Sequence, residues 1–328
     1  MSIEIKTAEI EPIRQTYGHT RRRFGDKPAT RYQEASFDIQ PTCNFHYRPM
    51  FDEQHELYDP GYTALKMEDW YAFSDPRQFY YGAWVGARTK FQESTETSFA
   101  FFEKRHLGGQ LSAEARRLVT ECLLPLRHVE LGANMNNVGI ASTAYGTTLS
   151  QAHMFHGMDR LAVAQYLSRI GLLIDDSPGV LLGEAKQLWM DDPDWQGVRR
   201  YVEDTLVIED WAELSVAQNL VLDGLLYPFV QETLDARWMD AGGGQLAMLT
   251  DFMGEWFKDG SRFIDALMKA LAAESDENRG LLTQWVSAWR ERAVAALQPI
   301  AAKAGVTLDD ALSLLDKRLA KLGLLETH

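Results

Sequence analysis

The side chains that could do chemistry in this chain are carboxylates and imidazoles carried on helices. There are 47 acidic residues and 8 histidines among 328 residues. A dimetal centre in a helical bundle takes one Glu from each of two helices and a Glu-x-x-His pair from each of two others. The i, i+3 spacing places both members of a pair on one helix face. Only Glu103-Lys-Arg-His106 meets that spacing strictly, and Asp52-Glu-Gln-His55 meets it loosely. Glu103 and His106 precede Gly108-Gly109, where Lys104, Arg105 and His106 suit the negative end of a helix dipole. Asp52 and His55 lie in a proline-rich stretch with no rigid helix to present them. His153, His156 and Arg160 share a stripe with Val163 and Leu167. A guanidinium one turn from two imidazoles repels a cation, so packing histidines are the expected reading there.

Other chemistries find less support. No Gly-x-Ser-x-Gly elbow is present. Cys122 sits among Val119, Leu123 and Leu124, the setting of an inert core thiol. Gly242-Gly243-Gly244 lacks the preceding strand and following Lys of a phosphate loop, so it reads as a helix break. Arg21-Arg22-Arg23 is expected to meet carboxylates of a partner. With only Cys43 and Cys122, a disulfide framework and a structural zinc cluster are excluded. The net charge of -14 disfavours nucleic acid and anionic membranes as partners. No secretory leader and no run of 18 apolar residues are evident, so a reducing, cytoplasmic setting is expected.

The elements that would position these groups are helices. Asp75-Pro76 reads as a helix start, with a stop at Gly108-Gly109. Ser112 caps the next helix, which Pro125 should kink or bulge on its way to Tyr145-Gly146. A third helix spans about 148–174, and two shorter ones flank Asp191-Asp192-Pro193. A long one runs from near Glu209 to Gly242, with Pro228 inside. The last three cover about 245–274, 277–303 and 308–322, the final one capped by Thr307. Long helices with short turns imply an antiparallel all-α bundle. Residues 1–66 read instead as an irregular, aromatic-rich arm, leaving 67–328 as one helical domain. The arm either wraps this chain's own helices or lies on another subunit.

Three segments carry a resemblance: Trp70–Tyr81 (WYAFSDPRQFYY), Leu126–Asn137 (LRHVELGANMNN) and Gln151–Gln165 (QAHMFHGMDRLAVAQ). Together they resemble the smaller, β-type subunit of the oxygenase component of bacterial multicomponent monooxygenases, in the phenol and toluene hydroxylase branch. The resemblance implies a ferritin-like bundle that has lost the iron carried by the large subunit. Carried over position by position, the family's ligands fall on Glu130, Arg160, Val163, Asp223, Phe252 and Glu255. No histidine is among them. An unpaired buried carboxylate is costly, so Glu130 and Arg160 are expected to meet in the bundle interior, directly or through one residue. The alternative is two ordinary amphipathic residues at a bundle edge.

The resemblance further implies a non-catalytic assembly subunit with no cofactor of its own. Its partners would be a diiron large subunit and a small third subunit, in a dimer of heterotrimers served by a regulatory protein and a reductase. The reaction of the whole would be O₂-dependent aromatic hydroxylation. Contacts between subunits are expected from Arg21, Arg22, Arg23, Phe24, Tyr32, Phe45, Tyr47, Trp70, Tyr71, Tyr80 and Tyr81. The rival is a dimetal enzyme acting alone through Glu103, His106, His153 and His156.

Overall fold

A computed structural model describes residues 17–41, 52, 54–175 and 179–325. The described residues form helices and connecting turns, with no strand among them. Fourteen α-helical segments follow in order: α1 Gly18–Phe24, α2 Arg31–Ser36, α3 Tyr81–Lys104, α4 Ala113–Leu118, α5 Leu126–Thr143, α6 Thr147–Asp175 and α7 Val180–Asp191. Then come α8 Pro193–Thr205, α9 Trp211–Ser215, α10 Asp223–Pro228, α11 Asp235–Trp238, α12 Ala247–Glu274, α13 Asp276–Ala304 and α14 Asp309–Leu322. Segments α9 to α11 are parts of one long helix, joined by π-helical turns at Val216–Leu222 and Phe229–Leu234. Four long elements enclose the interior: α5, α6, this interrupted helix and α12. Helices α3, α8, α13 and α14 pack around them.

Helices α5 and α6 run antiparallel. Asn134 Nδ2 donates to the Gly157 carbonyl at 2.7 Å, and Arg160 reaches back to Glu130. Close packing is possible because glycines face neighbours. A Cβ on Gly132 would fall 2.4 Å from Val202 Cγ1 of α8. The π turn Val119–Leu123 lies immediately before Pro125, which is the bulge expected there. Proline has no N–H to complete the α-helical ladder, so the strain is absorbed one turn upstream. Ser112 caps α4 as expected, its Oγ accepting from Ala115 N at 2.9 Å.

Several expectations need correction. The helix after Asp75-Pro76 begins only at Tyr81. Asp75 does not cap it, because its carboxylate is held by Arg77 at 2.9 Å and by the Arg77 backbone N–H. The final helix starts at Asp309 after Leu308, with no side-chain cap from Thr307. The arm is not irregular throughout. Its described part contains α1 and α2, and α2 is opened by a capping box of Thr30 and Gln33. This part wraps the chain's own bundle. Ser36 Oγ donates to Gln151 Oε1 at 3.0 Å, and Thr147 Oγ1 donates to the Ser36 carbonyl at 2.6 Å. Phe37 packs on Tyr32 and Tyr71 in a small aromatic cluster.

Candidate functional site

The interior of the four long elements is not uniformly apolar. Glu130 of α5, Arg160 of α6 and Asp223 and Tyr227 of α10 meet there, all buried. The Arg160 guanidinium lies between the two carboxylates. Its Nε is 2.8 Å from Glu130 Oε2, and its Nη2 donates to Glu130 Oε1 at 3.1 Å and to Asp223 Oδ1 at 3.0 Å. Its Nη1 donates to the Tyr227 hydroxyl at 2.7 Å, which in turn donates to Glu130 Oε1 at 3.0 Å. Glu130 and Arg160 thus meet directly in the interior, not at a bundle edge.

The π turn Val216–Leu222 explains how Asp223 joins this cluster. Residues five apart share a face in a π turn, whereas in an α-helix they diverge. Gln218 therefore reaches Asp223, its Nε2 donating to Oδ1 at 2.9 Å. Gln218 Oε1 accepts from Asn136 Nδ2 at 2.9 Å, and Asn219 exchanges two amide hydrogen bonds with Asn137. Motif spacing gave no sign of Gln218, Asn219 or Tyr227. The signal was the polar pair Gln218-Asn219 set in the otherwise apolar run from Val216 to Leu222.

Two buried carboxylates face one buried guanidinium, so one negative charge is left over. Burial pushes the Glu130 carboxyl up to about 7, opposed by the Arg160 charge. Burial also raises Asp223, again against the pull of Arg160. Burial thus favours the protonated form of both carboxyls, which offsets the surplus charge.

Val163 is buried one turn from Arg160, and Phe252 of α12 packs on Tyr166 and Trp256. Glu255 is a correction: it is exposed on the outer side of α12. The left-handed Gly242 (φ 81°) resets the helix before α12, so Trp256, Phe257 and Gly260 face the cluster instead. These residues do not fit a dimetal centre. A guanidinium sits between Glu130 and Asp223, and among the described residues no group of three or more His, Cys, Asp and Glu side chains is arranged to hold a metal ion.

The rival ligand set is not assembled either. Glu103 and His106 are exposed at the end of α3, where His106 adopts a left-handed backbone (φ 50°). His153 and His156 are buried against the Phe263 ring. His153 Nδ1 donates to the Leu149 carbonyl at 3.1 Å, leaving Nε2 to accept from the Ser215 hydroxyl at 3.3 Å. Burial lowers His153 to about 4 and His156 well below its ordinary value, so both are neutral. Asp52 and His55 pair at 2.7 Å beside Tyr62, away from the interior cluster. Burial pushes the Cys122 thiol up to about 12, which removes its nucleophilicity. Cys43 lies outside the described residues.

A second ionic network ties the Trp70–Tyr81 segment to the bundle. Arg88 of α3 binds Asp159 of α6 and Asp259 of α12, and Trp84 Nε1 donates to Asp159 at 2.9 Å. Arg77 lies 3.7 Å from Asp259 and 4.2 Å from the Phe263 ring centroid.

The expected interface residues divide. Tyr32, Trp70 and Tyr71 are buried in this chain's own cores, a correction that follows from the packing of α2 on α6. Arg21 and Arg23 also meet carboxylates of their own chain, not a partner's. Arg21 pairs with Asp26, and Arg23 pairs with Asp38 at 2.7 Å and with Asp69 at 2.6 Å. Phe24 and Tyr80 are half-buried against the arm cluster. Arg22 is exposed, and Tyr81 is 70% exposed. Phe45 and Tyr47 lie outside the described residues. Among the described residues, no helix is long and apolar enough to cross a membrane.

Residues 48–275 match the family model for methane/phenol/alkene hydroxylase. The chain is 53% identical to the phenol 2-monooxygenase oxygenase component DmpL of Pseudomonas sp. (strain CF600), covering 99% of this chain and 98% of that protein. It is 47% identical, over the same shares, to the corresponding component MhpL of Acinetobacter pittii (strain PHEA-2). Among solved structures, it superposes on a chain of phenol hydroxylase from Pseudomonas sp. OX1 with a TM-score of 0.93. The identity there is 54%, and 99% of each chain is covered. A chain of toluene 4-monooxygenase, at 24% identity, shares the fold with a TM-score of 0.70, covering 75% of this chain and 82% of that one. With an all-α bundle and a family match across most of its length, this chain belongs to the methane/phenol/alkene hydroxylase family.

Proposed function

We propose that this chain is the non-catalytic β-type subunit of the oxygenase component of a phenol monooxygenase. The observation that carries this reading is Arg160. Its guanidinium lies between Glu130 and Asp223 in the bundle interior, and the family resemblance carries metal-ligand positions onto all three residues. A fixed positive charge at that place supplies the neutralisation that a metal would otherwise give, and opposes cation binding. The near-full-length similarity to two phenol 2-monooxygenase oxygenase components supports the identity of the parent system.

In this reading the diiron centre and the hydroxylation chemistry reside in a larger partner subunit. A small third subunit completes the heterotrimer, two heterotrimers pair, and a regulatory protein and a reductase serve the assembly. The work of this chain is mechanical: it supports the larger subunit and holds the assembly together. Helices α5 and α6 offer a face for that work. Leu131, Met135 and Val138 of α5 line up beside Met154, Met158 and Leu161 of α6, and all six are exposed large apolar side chains. Contiguous apolar surface of this kind on two packed helices marks a site of protein association.

The test is co-purification. Expressed with its operon neighbours, an affinity-tagged chain should bring down a larger iron-containing chain at one-to-one ratio. Iron bound stoichiometrically to the tagged chain alone, with oxygen-dependent turnover, would overturn the assignment.

A further inference from the structure

A small cavity of ≈ 10 Å³ lies beside the Arg160 cluster, lined by residues of α6, α10 and α12. Three of its lining residues carry buried polar atoms without hydrogen-bond partners: His156 Nδ1, Trp256 Nε1 and Ser261 Oγ. A fourth lining residue, Asp223, accepts from Gln218 and Arg160 through Oδ1. Unsatisfied polar atoms are rare in protein interiors, and each carries a desolvation cost. Three such atoms around one small space call for a shared partner.

The chemistry of the lining selects that partner. A cation is disfavoured because the Trp256 indole can only donate and the Arg160 guanidinium is positive. An anion is disfavoured because Asp223 and Asp159 both line the space. The occupant must accept from an indole and donate to a carboxylate or imidazole. It must also fit a volume of about one water centre, roughly 10–15 Å³. Water meets all three conditions. Gly260 helps to keep the space open, since a Cβ there would fall 2.8 Å from His156 Cε1.

We propose that this cavity is an ordered-water site that joins α6, α10 and α12 through His156, Asp223, Trp256 and Ser261. The water donates to Asp223 and lets His156 remain neutral without an unpaired ring nitrogen. The site is independent of the assignment to a non-catalytic subunit.

A crystal structure of the assembled oxygenase component, at a resolution that shows other buried waters, tests the proposal. The expected result is one peak in the cavity within hydrogen-bond distance of at least two of the four named groups. A cavity without density, or side chains turned so that they bond one another directly, overturns it. A Ser261→Val variant gives an independent check, because its methyl groups fill the space and remove a polar partner. Loss of the peak with the surrounding helices unmoved is expected. A peak that persists unmoved in this variant would show that Ser261 is not a partner and would overturn the four-residue site.

Discussion

Replacing Arg160 by Met removes the only cation in contact with Glu130 among the described residues while keeping much of the side-chain volume. Arg160 makes two contacts to Glu130, one to Asp223 and one to Tyr227, and its guanidinium stands 4.9 Å from the Tyr227 ring centroid. Breaking a buried ion pair from one side costs about 3–5 kcal/mol. At about 2 °C per kcal/mol for a chain of this size, the loss is roughly 6–10 °C in Tm. The pH dependence is more diagnostic than the size. Glu130 sits at about 7 in the folded protein, above its ordinary value of about 4.3. The folded state therefore holds the extra proton between those values, and stability falls as pH rises through that window. Above pH 7 the wild-type curve flattens, because the folded state has then also released the Glu130 proton. In Arg160→Met the carboxyl pKa rises further, so the fall continues at about 1.4 kcal/mol per pH unit for each proton retained. Urea titrations followed by tryptophan fluorescence from pH 6 to pH 9 should show the gap to wild type widening above pH 7. Adding Glu130→Gln and Asp223→Asn to the Met variant should recover most of the loss and remove the widening. A gap below about 1 kcal/mol that does not change with pH would refute the charge argument.

Further tests address other parts of the molecule. His153 and His156 are held neutral below their unfolded values, so they contribute stability that is lost as pH falls from about 6.5, at about 1.4 kcal/mol per pH unit for each. Glu130 acts in the opposite sense, so the readout is the difference between wild type and His153→Asn, whose acid slope should be shallower by one such contribution. Gly132→Ala should cost about 1–3 kcal/mol by overpacking against Val202, and Val202→Ala in the same chain should relieve part of it in denaturant titrations. Arg23→Ala releases Asp38 and Asp69 together. It should increase proteolysis within residues 17–41 while the helical circular dichroism of the bundle changes little. In a Cys43→Ser background, Cys122 should react with a thiol reagent only at the rate of unfolding, because its thiol is buried and raised to about 12.

The long helices were legible because apolar periodicity and the Gly and Pro boundaries persist over many turns. The pairing of Glu130 with Arg160 was legible for a different reason: two charged residues expected in a bundle interior must meet. Asp75-Pro76 misled because its local pattern matches a helix start, whereas a tertiary partner, Arg77 against Asp259 and Phe263, holds the segment as a turn. Glu255 misled because a left-handed glycine shifts helical phase by an amount no spacing count reveals. The contribution of Gln218 depends on a π turn, which has no simple residue signature. Tyr32, Trp70 and Tyr71 show the limit of composition. Aromatic density signals burial, but whether a residue is buried in its own chain or in a partner is decided by docking geometry.

The position of iron in the assembled oxygenase component decides whether this chain is the non-catalytic subunit proposed above. Anomalous diffraction at the iron edge, from crystals of the complete component, locates it directly. Under the proposed assignment, iron peaks are expected in a larger partner subunit and none among Glu130, Arg160, Asp223 and Tyr227 of this chain. An iron peak within bonding distance of Glu130 or Asp223, with Arg160 displaced, would overturn the assignment.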